Sequence, residues 1–384
     1  MKFRERLTRA VAIDGLPIVV ALVLVTVTFT FASPFFMTEE NIRNLLTQSL
    51  FVILLAAGMT YVLIVGGIDL SVGSATGLSS AITLMSLMHG APLLVGMLAG
   101  IATGMLVGLV NGFFVAVLEI NAFIVTLATL SLGAGVLQII TSSTQLTGVD
   151  SPAFALLTKG NILGIPSGVV ITLVIVALLE LVLLTTPFGR KLFASGTNPV
   201  AAFLAGIAVR RLKFGVYVIS GTIAGAAGVL LASHLNSVQP GLGQGYELNA
   251  IAAAVLGGVS LAGGRGSVWR AVIGALFLAT LSQGLQLMGV DPLWFSIVTG
   301  ASIVVAVAFD RAVQQWVLKQ LTKVTGKRSV SGETAQATAS PSSPADDGQN
   351  VAETLAPESV RNVDDEDAVL SGHPSISSTE GNTK

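Results

Sequence analysis

The chain has 384 residues, of which 52% are hydrophobic and only 11% are charged. A soluble globular domain carries about 25% charged residues, so this composition excludes an ordinary soluble domain. The chain contains no cysteine, which excludes a disulfide framework, thiolate metal sites and cysteine catalysis.

Apolar stretches, each about long enough to cross the ~30 Å hydrocarbon core of a membrane, follow one another along the chain. They predict an all-α polytopic membrane protein with about ten transmembrane helices, including broken or re-entrant segments. We expect the first stretch to be a retained helix, because no small-residue cleavage site follows it. The predicted spans are residues 16–33, 47–65, 71–88, 92–112, 122–141, 167–186, 212–233, 249–262, 271–288 and 292–309.

The distribution of basic residues predicts the orientation of these spans. If the N-terminus is cytoplasmic, the external loops hold only Arg43 and Lys159, and the other Lys and Arg residues up to Arg328 fall on the cytoplasmic side. Such a bias is what the positive-inside rule requires, so we expect both termini to be cytoplasmic.

The composition changes after Gly326. Residues 326–384 are acidic and rich in Ser, Thr and Pro, with few large apolar side chains. A segment of this kind cannot bury enough apolar surface to offset the entropy of ordering it. We therefore predict a transmembrane domain over residues 1–325 and a disordered cytoplasmic tail over residues 326–384.

Two glycine-rich segments resemble each other. "VGGIDLSVGS" at 65–74 and "LGGVSLAGGRGS" at 256–267 both follow an apolar run, and they contain the pairs Gly66-Gly67 and Gly257-Gly258. Structural repeats with broken helices are common in transporters, so the pair indicates a possible internal repeat. Chance alignment of glycine-rich sequence is the alternative.

Asp69 is the most informative single residue. Ionisable groups at membrane depth are costly, and they usually line a cavity or pair with a partner. The glycines around Asp69 permit a helix break, and Ser71 and Ser74 are placed to donate to the carboxylate or to cap the next helix. The alternative is that Asp69 only caps the third span at the cytoplasmic interface.

A basic cytoplasmic loop at 186–213 contains a predicted short helix. Asn198-Pro199 is typical of a helix start, with Asn as N-cap and Pro in the first turn, and the apolar run continues to Gly206. A helix of about two turns is not stable alone and needs a partner surface. An interfacial helix lying on lipid is the alternative.

The segment 234–250 is predicted to be an external, polar, glycine-rich loop that contains Gln239, Pro240, Tyr246 and Glu247. Its position suits a gate or a docking surface for an external partner, and an ordinary connecting loop is the alternative. His234 has no second His or Cys nearby, so we expect no metal site.

The sequence contains no phosphate-binding loop for ATP and no hydrolase or zinc-protease motif. Buried carboxylates are too few for an obvious proton relay. The residues alone thus leave three possibilities: a passive channel, an ion-coupled secondary carrier, or a transport subunit that takes its energy from another chain.

Five segments, in order and over about residues 40–310, resemble the ribose-type permeases of bacterial ABC sugar importers. They are "GGIDLSVGS" at 66–74, "FIVTLATL" at 123–130, "FGRKLFASGTNPVAAFLAGIAV" at 188–209, "SGTIAGAAGVLLAS" at 220–233 and "GYELNAIAAAVLGGVSLAGGRGS" at 245–267. The acidic tail lies outside the family pattern.

The resemblance implies the ABC importer permease fold in a bacterial cell membrane, as a homodimer that translocates a monosaccharide or related polyol. It implies a separate cytoplasmic ATPase, which uses ATP and Mg²⁺, and an extracytoplasmic sugar-binding protein; the chain itself would bind no cofactor, metal or nucleic acid. The external loop with Gln239, Pro240, Tyr246 and Glu247 would receive the binding protein.

Two further sets of residues are expected, the first from the resemblance and the second from the residue patterns described above. The expected ATPase-coupling residues are Gly189, Arg190, Gly196, Asn198, Pro199, Ala201, Ala202 and Gly206. The expected translocation path or helix breaks involve Gly66, Gly67, Asp69, Ser71, Asn111, Thr126, Gly257 and Gly258. Asn111 and Thr126 could hydrogen-bond a sugar or a neighbouring helix.

Overall fold

A computed structural model describes residues 15–291, together with residues 294, 297, 300, 301 and 304. The basic N-terminal residues, most of the predicted span at 292–309 and the predicted tail at 326–384 lie outside the described residues. The disordered tail and the last membrane span therefore stay predictions.

The described part is built from helices. They are α1 (Leu16–Ala32), α2 (Glu39–Ile64), α3 (Val72–Met88), α4 (Leu93–Gly112), α5 (Ala122–Ile140), α6 (Pro152–Lys159), α7 (Ser167–Thr185), α8 (Pro187–Thr197), α9 (Pro199–Leu204), α10 (Val209–Leu235), α11 (Tyr246–Leu256) and α12 (Val268–Leu287). A π-helical turn, Phe113–Val117, continues α4.

Four strands of two residues each occur between the helices. β1 (Leu146–Thr147) pairs antiparallel with β4 (Ser237–Val238), so that Leu146 lies opposite Val238. β2 (Asn161–Ile162) pairs antiparallel with β3 (Ile165–Pro166), so that Ile162 lies opposite Ile165. These pairs are a small addition to the all-α prediction, and both join segments that connect the longer helices.

Six of the described helices are long and apolar enough to cross a membrane: α2, α4 with its π-helical turn, α5, α7, α10 and α12. Three shorter apolar helices, α1, α3 and α11, accompany them. All nine coincide with predicted spans, and the structure supports a polytopic helical membrane protein.

The predicted boundaries need correction at three places. α2 begins at Glu39, eight residues before the predicted span, because Thr38 accepts a hydrogen bond from the Asn41 N–H and caps the helix there. α11 ends at Leu256 and not at 262, because Gly258 turns the chain in the left-handed region. The loop predicted at 186–213 contains two helices, α8 and α9.

α2 forms the centre of the bundle. In its most apolar window 89% of the residues are buried, against 22% in that of α5. A helix that is apolar on all sides is stable only when protein or lipid surrounds it completely. α2 is surrounded by protein, whereas α5 presents Leu132 and Ile139 on its outer surface, as lipid-facing helices do.

A row of glycines on α4 brings this helix into main-chain contact with α10. Gly96, Gly100, Gly104, Gly108 and Gly112 recur every fourth residue, and all five are buried. A side chain on Gly104 would overlap main-chain atoms of Gly221 and Gly225 on α10, and one on Gly108 would overlap the Tyr217 carbonyl oxygen. Small residues at this spacing let helix backbones meet directly, which is how helices associate in lipid.

The bundle has two ends that differ in charge. At the end carrying α8 and α9, Arg190, Arg210 and Arg211 are exposed, and Arg210 forms an ion pair of 2.6 Å with Glu119. At the other end, which carries the β1–β4 pair, Arg43 donates to the carbonyl oxygen of Gly164. The described basic residues therefore separate between the ends as the sequence predicts.

Replacement of Gly104 by Leu tests this row of glycines. The larger side chain must push α10 away, and overpacking of this kind costs about 1–3 kcal/mol. We expect a clear decrease in the melting temperature of the purified protein, measured by tryptophan fluorescence. Gly135→Leu on α5 is the matched control, because nothing lies within 4 Å of a side chain added there; equal melting of the two variants would contradict the packing role.

Candidate functional site

The chain leaves helical structure between α2 and α3, at residues 65–71. Gly66 has a φ of 76°, which favours glycine, and its N–H donates to the carbonyl oxygen of Leu63. The Gly67 N–H donates to the carbonyl oxygen of Val62. These two bonds form a Schellman motif, which satisfies carbonyl groups that the end of α2 leaves open.

Side chains from other helices donate hydrogen bonds to the main chain of this non-helical segment. The carbonyl oxygen of Ile68 accepts from the Tyr217 hydroxyl at 3.2 Å and from the Thr126 hydroxyl at 3.4 Å. Irregular backbone within a membrane protein is tolerated only where protein or a water-filled cavity satisfies its polar groups. Here α5 and α10 supply those partners.

Asp69 is fully buried and is the acceptor of this network. Its Oδ1 accepts from the Ser71 hydroxyl at 2.6 Å and from the Ser71 N–H at 3.1 Å, and its Oδ2 accepts from the Ser220 hydroxyl at 2.8 Å. Asn111 donates to the Ser71 oxygen at 2.7 Å and accepts from the Thr129 hydroxyl at 2.7 Å. Side chains of α4, α5 and α10 thus hold one carboxylate.

The geometry corrects the idea that Asp69 is the N-cap of the third span. Ser71 is the N-cap of α3, and Asp69 binds the Ser71 N–H from inside the protein and not from the interface. Asp69, Ser71, Asn111 and Thr126 expose no more than 1% of their surface, so in this conformation they hold the break and do not line a cavity.

A second break, residues 257–267, separates α11 from α12. The Gly258 N–H donates to the Val255 carbonyl oxygen, and the Val259 N–H donates to that of Ala254, which is again a Schellman motif. In the pair Gly66-Gly67 the first glycine has the positive φ, whereas in the pair Gly257-Gly258 it is the second. The two breaks therefore share a geometry, offset by one residue from their sequence alignment.

Glu180 of α7 caps the helix that follows the second break. Its carboxylate accepts from the Ser267 hydroxyl and from the Val268 N–H, both at 2.7 Å. A carboxylate at the N-terminus of α12 satisfies an open N–H and complements the helix dipole. Glu180 therefore has a structural role at the start of α12.

The two breaks meet at a contact that we call the glycine junction, formed by Gly196, Gly263 and Gly264. The Gly264 N–H donates to the carbonyl oxygen of Ile64, the last residue of α2, at 2.8 Å. A side chain on Gly196, near the end of α8, would overlap that same oxygen. The end of α8 is thus in main-chain contact with α2 and with the second break.

The short helix predicted after Asn198 is present as α9. The Asn198 side chain accepts from the Ala201 N–H, Pro199 is the first residue, and Gly206 ends the helix with a φ of 80°. Ala202 is buried, however, whereas Val200, Phe203 and Leu204 are 68%, 70% and 79% exposed. The predicted coupling residues do not include these three exposed apolar side chains, and the coupling role of α9 stays a prediction.

The other predicted coupling residues belong to α8 and its ends. Gly189 is buried against the Leu183 carbonyl oxygen, where no side chain fits. Arg190 is exposed and donates to the Thr185 carbonyl oxygen at 3.1 Å, and Ala201 is exposed on α9. These residues lie at the same end of the bundle as the glycine junction.

The segment predicted to be an external loop does not remain at the surface. The carbonyl oxygen of Leu242 lies where a side chain on Gly77 would be, and Gly243 is equally close to Gly73 on α3. The chain therefore re-enters the bundle before α11 begins. Gln239 stays exposed and Pro240 half-buried, whereas Glu247 is buried with its Oε1 accepting from the Gly245 N–H.

Tyr246 begins α11 and lines a cavity of about 550 Å³ between α2, α11 and α12. Sequence reasoning missed this cavity, because its glutamines come from distant parts of the chain. Among the described residues, no group of three or more His, Asp and Glu side chains is placed to hold a metal ion.

Substitution of Asp69 tests the network around the first break. Asp69→Ala leaves the Ser71 and Ser220 donors unpaired, which costs about 1–3 kcal/mol, and we expect a lower melting temperature. Asp69→Asn keeps one oxygen acceptor for Ser71 and can donate to Ser220, so most of the stability should return. Asp150→Ala, at an exposed loop position, is the control; if Asp69→Ala melts like that control, the carboxylate does not hold the break.

Comparison with known proteins identifies the family. A family model described as "Branched-chain amino acid transport system / permease component" matches residues 41–307. The ribose import permease protein of Bacillus subtilis is 40% identical over 291 residues, which cover 76% of this chain and 90% of the relative.

Two relatives from Escherichia coli extend the comparison. The L-arabinose transport system permease protein is 39% identical over 73% of this chain and 86% of its own. The D-allose transport system permease protein is 33% identical over 77% of this chain and 90% of its own. No solved structure matches the chain significantly.

These matches confirm the resemblance seen in the sequence, and the family match at 41–307 covers α2 from its third residue through α12, with both breaks and the α8–α9 region. The chain is a multi-pass membrane protein and a transport permease, not an enzyme. It belongs to the family of transport-system permease components that includes these ribose, arabinose and allose permeases.

Proposed function

We propose that this chain is the transmembrane subunit of an ATP-driven importer for a monosaccharide or related polyol. An extracytoplasmic binding protein delivers the solute, and a separate cytoplasmic ATPase binds and hydrolyses ATP with Mg²⁺. The permease acts as a homodimer in the bacterial inner membrane, with both termini and the α8–α9 end in the cytoplasm.

The exposed apolar face of α9 is the observation that carries this proposal. Val200, Phe203 and Leu204 project from a helix of six residues, flanked by the basic residues of α8 and α10. Exposed apolar patches of this kind mark interaction sites. Because the positive-inside rule places this end in the cytoplasm, a cytoplasmic protein is the expected partner.

The glycine junction connects that face to both helix breaks. α9 follows α8 directly, and Gly196 near the end of α8 contacts the Ile64 carbonyl oxygen and Gly264. No side chain lies between these main chains to absorb a displacement. Movement of α8 by a bound ATPase would therefore act on the end of α2 and on the second break together.

The alternative of an ion-coupled carrier has less support from the site. Such a carrier needs carboxylates that exchange protons or ions along a path. Asp69 accepts four hydrogen bonds, from Ser71, Ser220 and Asn111, and Glu180 caps α12. Two of the three buried carboxylates among the described residues therefore already have structural roles, and the third, Glu247, accepts from the Gly245 N–H through one of its oxygens.

The class of solute follows from the relatives. The family description names branched-chain amino acids, whereas the relatives that are 33–40% identical over most of the chain are named for ribose, arabinose and allose. All three are neutral monosaccharides. We therefore assign a neutral monosaccharide, and the choice among them rests with the binding protein.

Reconstitution separates the two modes of energy supply. Proteoliposomes that hold the permease, its ATPase and its binding protein should take up labelled ribose, arabinose or allose only with ATP. Proteoliposomes that hold the permease alone should take up none of them, with or without a proton or sodium gradient. Gradient-driven uptake by the isolated chain would overturn the proposal and favour the secondary carrier.

Replacement of Phe203 by Asp tests the docking face. A charge in place of a central apolar anchor costs 2 kcal/mol or more in typical interfaces, so we expect co-purification of the ATPase to fall about tenfold or more. Phe203→Leu should retain the complex. Leu163→Asp is the matched control, because Leu163 is 99% exposed at the opposite end of the bundle; an equal loss there would show that α9 is not the docking site.

A further inference from the structure

The cavity between α2, α11 and α12 is lined mainly by uncharged polar and apolar side chains. Its volume of about 550 Å³ falls within the ~300–1,000 Å³ of small-molecule sites. None of its described lining residues carries a charge. The amide and hydroxyl groups that line it belong to Gln48, Gln244, Asn249, Ser282, Gln283 and Gln286.

Helical spacing brings these groups together. On α12, Ser282 and Gln283 lie four and three residues before Gln286, which brings all three to the cavity, and Gln48 lines it from α2. Asn249 comes from the first turn of α11, directly after the segment that re-enters the bundle. The cavity therefore lies on the β1–β4 side of the second break.

One of the amides is held in a fixed orientation. The Gln283 Nε2 donates to the Asn41 Oδ1 at 2.7 Å, and the Asn41 Nδ2 donates to the Phe36 carbonyl oxygen at 2.7 Å. The first bond uses one N–H of the Gln283 amide and the second fixes Asn41, so that the other N–H and the carbonyl oxygen of Gln283 remain available. A hydroxyl group in the cavity would meet an acceptor of defined direction.

The remaining amides have no protein partner within the described part of the chain. Gln48, Gln244, Asn249 and Gln286 make no side-chain hydrogen bond there, although three of them lie on helices of a membrane protein. Unsatisfied polar groups in contact with hydrocarbon are costly, so lipid is a poor occupant of this cavity. Gln48, Gln244 and Gln286 are exposed and Asn249 is half-buried, so water or a polar solute can reach and satisfy them.

The side chains that line the cavity indicate which class of solute it can bind. An amide both donates and accepts, as a sugar hydroxyl does, and Tyr246 offers an aromatic face beside them. A carboxylate or ammonium group would find no opposite charge among the described lining residues. The walls therefore suit a neutral polyhydroxylated molecule better than an amino acid.

We propose that this cavity holds a neutral monosaccharide during translocation, with Gln48, Asn249 and Gln286 in direct contact with its hydroxyl groups. The inference rests on the proposed import function and adds the place where the permease itself contacts its solute. It assigns no role in solute contact to Asp69, which stays within the first break.

Transport by the reconstituted complex of permease, ATPase and binding protein is the first test. Gln48→Leu and Asn249→Leu should lower uptake of the labelled sugar at least tenfold, while ATP hydrolysis stimulated by the loaded binding protein stays within twofold of the unmodified complex. Gln138→Leu, at an exposed position of α5 outside the cavity, is the matched control. Uptake by the cavity variants equal to that control would overturn the inference.

Thiol labelling is the second test, and it needs no transport. The chain has no cysteine, so Asn249→Cys and Gln48→Cys introduce the only thiols of the permease. We expect both to react in the complex with a membrane-impermeant, water-soluble thiol reagent, and ribose, arabinose or allose supplied with the binding protein to slow the reaction.

The two tests distinguish failure of the inference from failure of the proposed function. Thiols that are unreactive, or that cross-link between two copies of the chain, would show that lipid or a second copy fills the cavity and would overturn the inference. If the unmodified complex takes up none of the three sugars, the import proposal itself fails. Labelling that is slowed by leucine and not by sugar would overturn the assigned solute class.

Discussion

A helix that is interrupted inside a membrane protein must have its open N–H and C=O groups satisfied by the protein itself. The chain is interrupted twice, after Ile64 and after Leu256, and much of the remaining structure supplies partners to these places. Tyr217, Ser220 and Asn111 serve the first break, and Glu180 serves the helix after the second. The polar side chains buried around these breaks therefore serve mainly to satisfy main-chain N–H and C=O groups. Contacts with the solute must come from other residues.

Features that depend on neighbouring residues could be predicted from the sequence. Asn198-Pro199 specifies the start of α9, Gly206 specifies its end, and Gly66 specifies the turn after α2, because each acts through its own backbone conformation or through a bond to a nearby N–H. Hydropathy located nine of the described apolar helices, although the start of α2 and the end of α11 lie eight and six residues from their predicted bounds. The family resemblance was needed to predict the mode of transport. Composition and motif spacing alone left three possibilities: a passive channel, an ion-coupled carrier and a subunit energised by another chain.

Features that depend on distant residues could not be predicted. The bond from Gly264 to Ile64 joins segments two hundred residues apart in sequence, and the glutamines of the cavity are spread from Gln48 to Gln286. Ala202 and Phe203 show, within one short helix, that burial cannot be predicted from local sequence alone. Both are apolar neighbours on α9, and only the packing of α9 against the bundle decides that the first is buried and the second exposed.

The glycine contacts also determine which parts of the chain can move. α4 touches α10 main chain to main chain over successive turns, and α12 touches α11 in the same way where Gly274 meets the Ala253 carbonyl oxygen. Helices in such contact can neither slide nor rotate against each other without collision of their backbones. Each pair is therefore expected to move as one rigid piece, so that a conformational change of the bundle would displace one piece relative to the other. Residues 236–245 connect α10 to α11 and so join the two pieces along the chain, which makes them the expected hinge for that displacement.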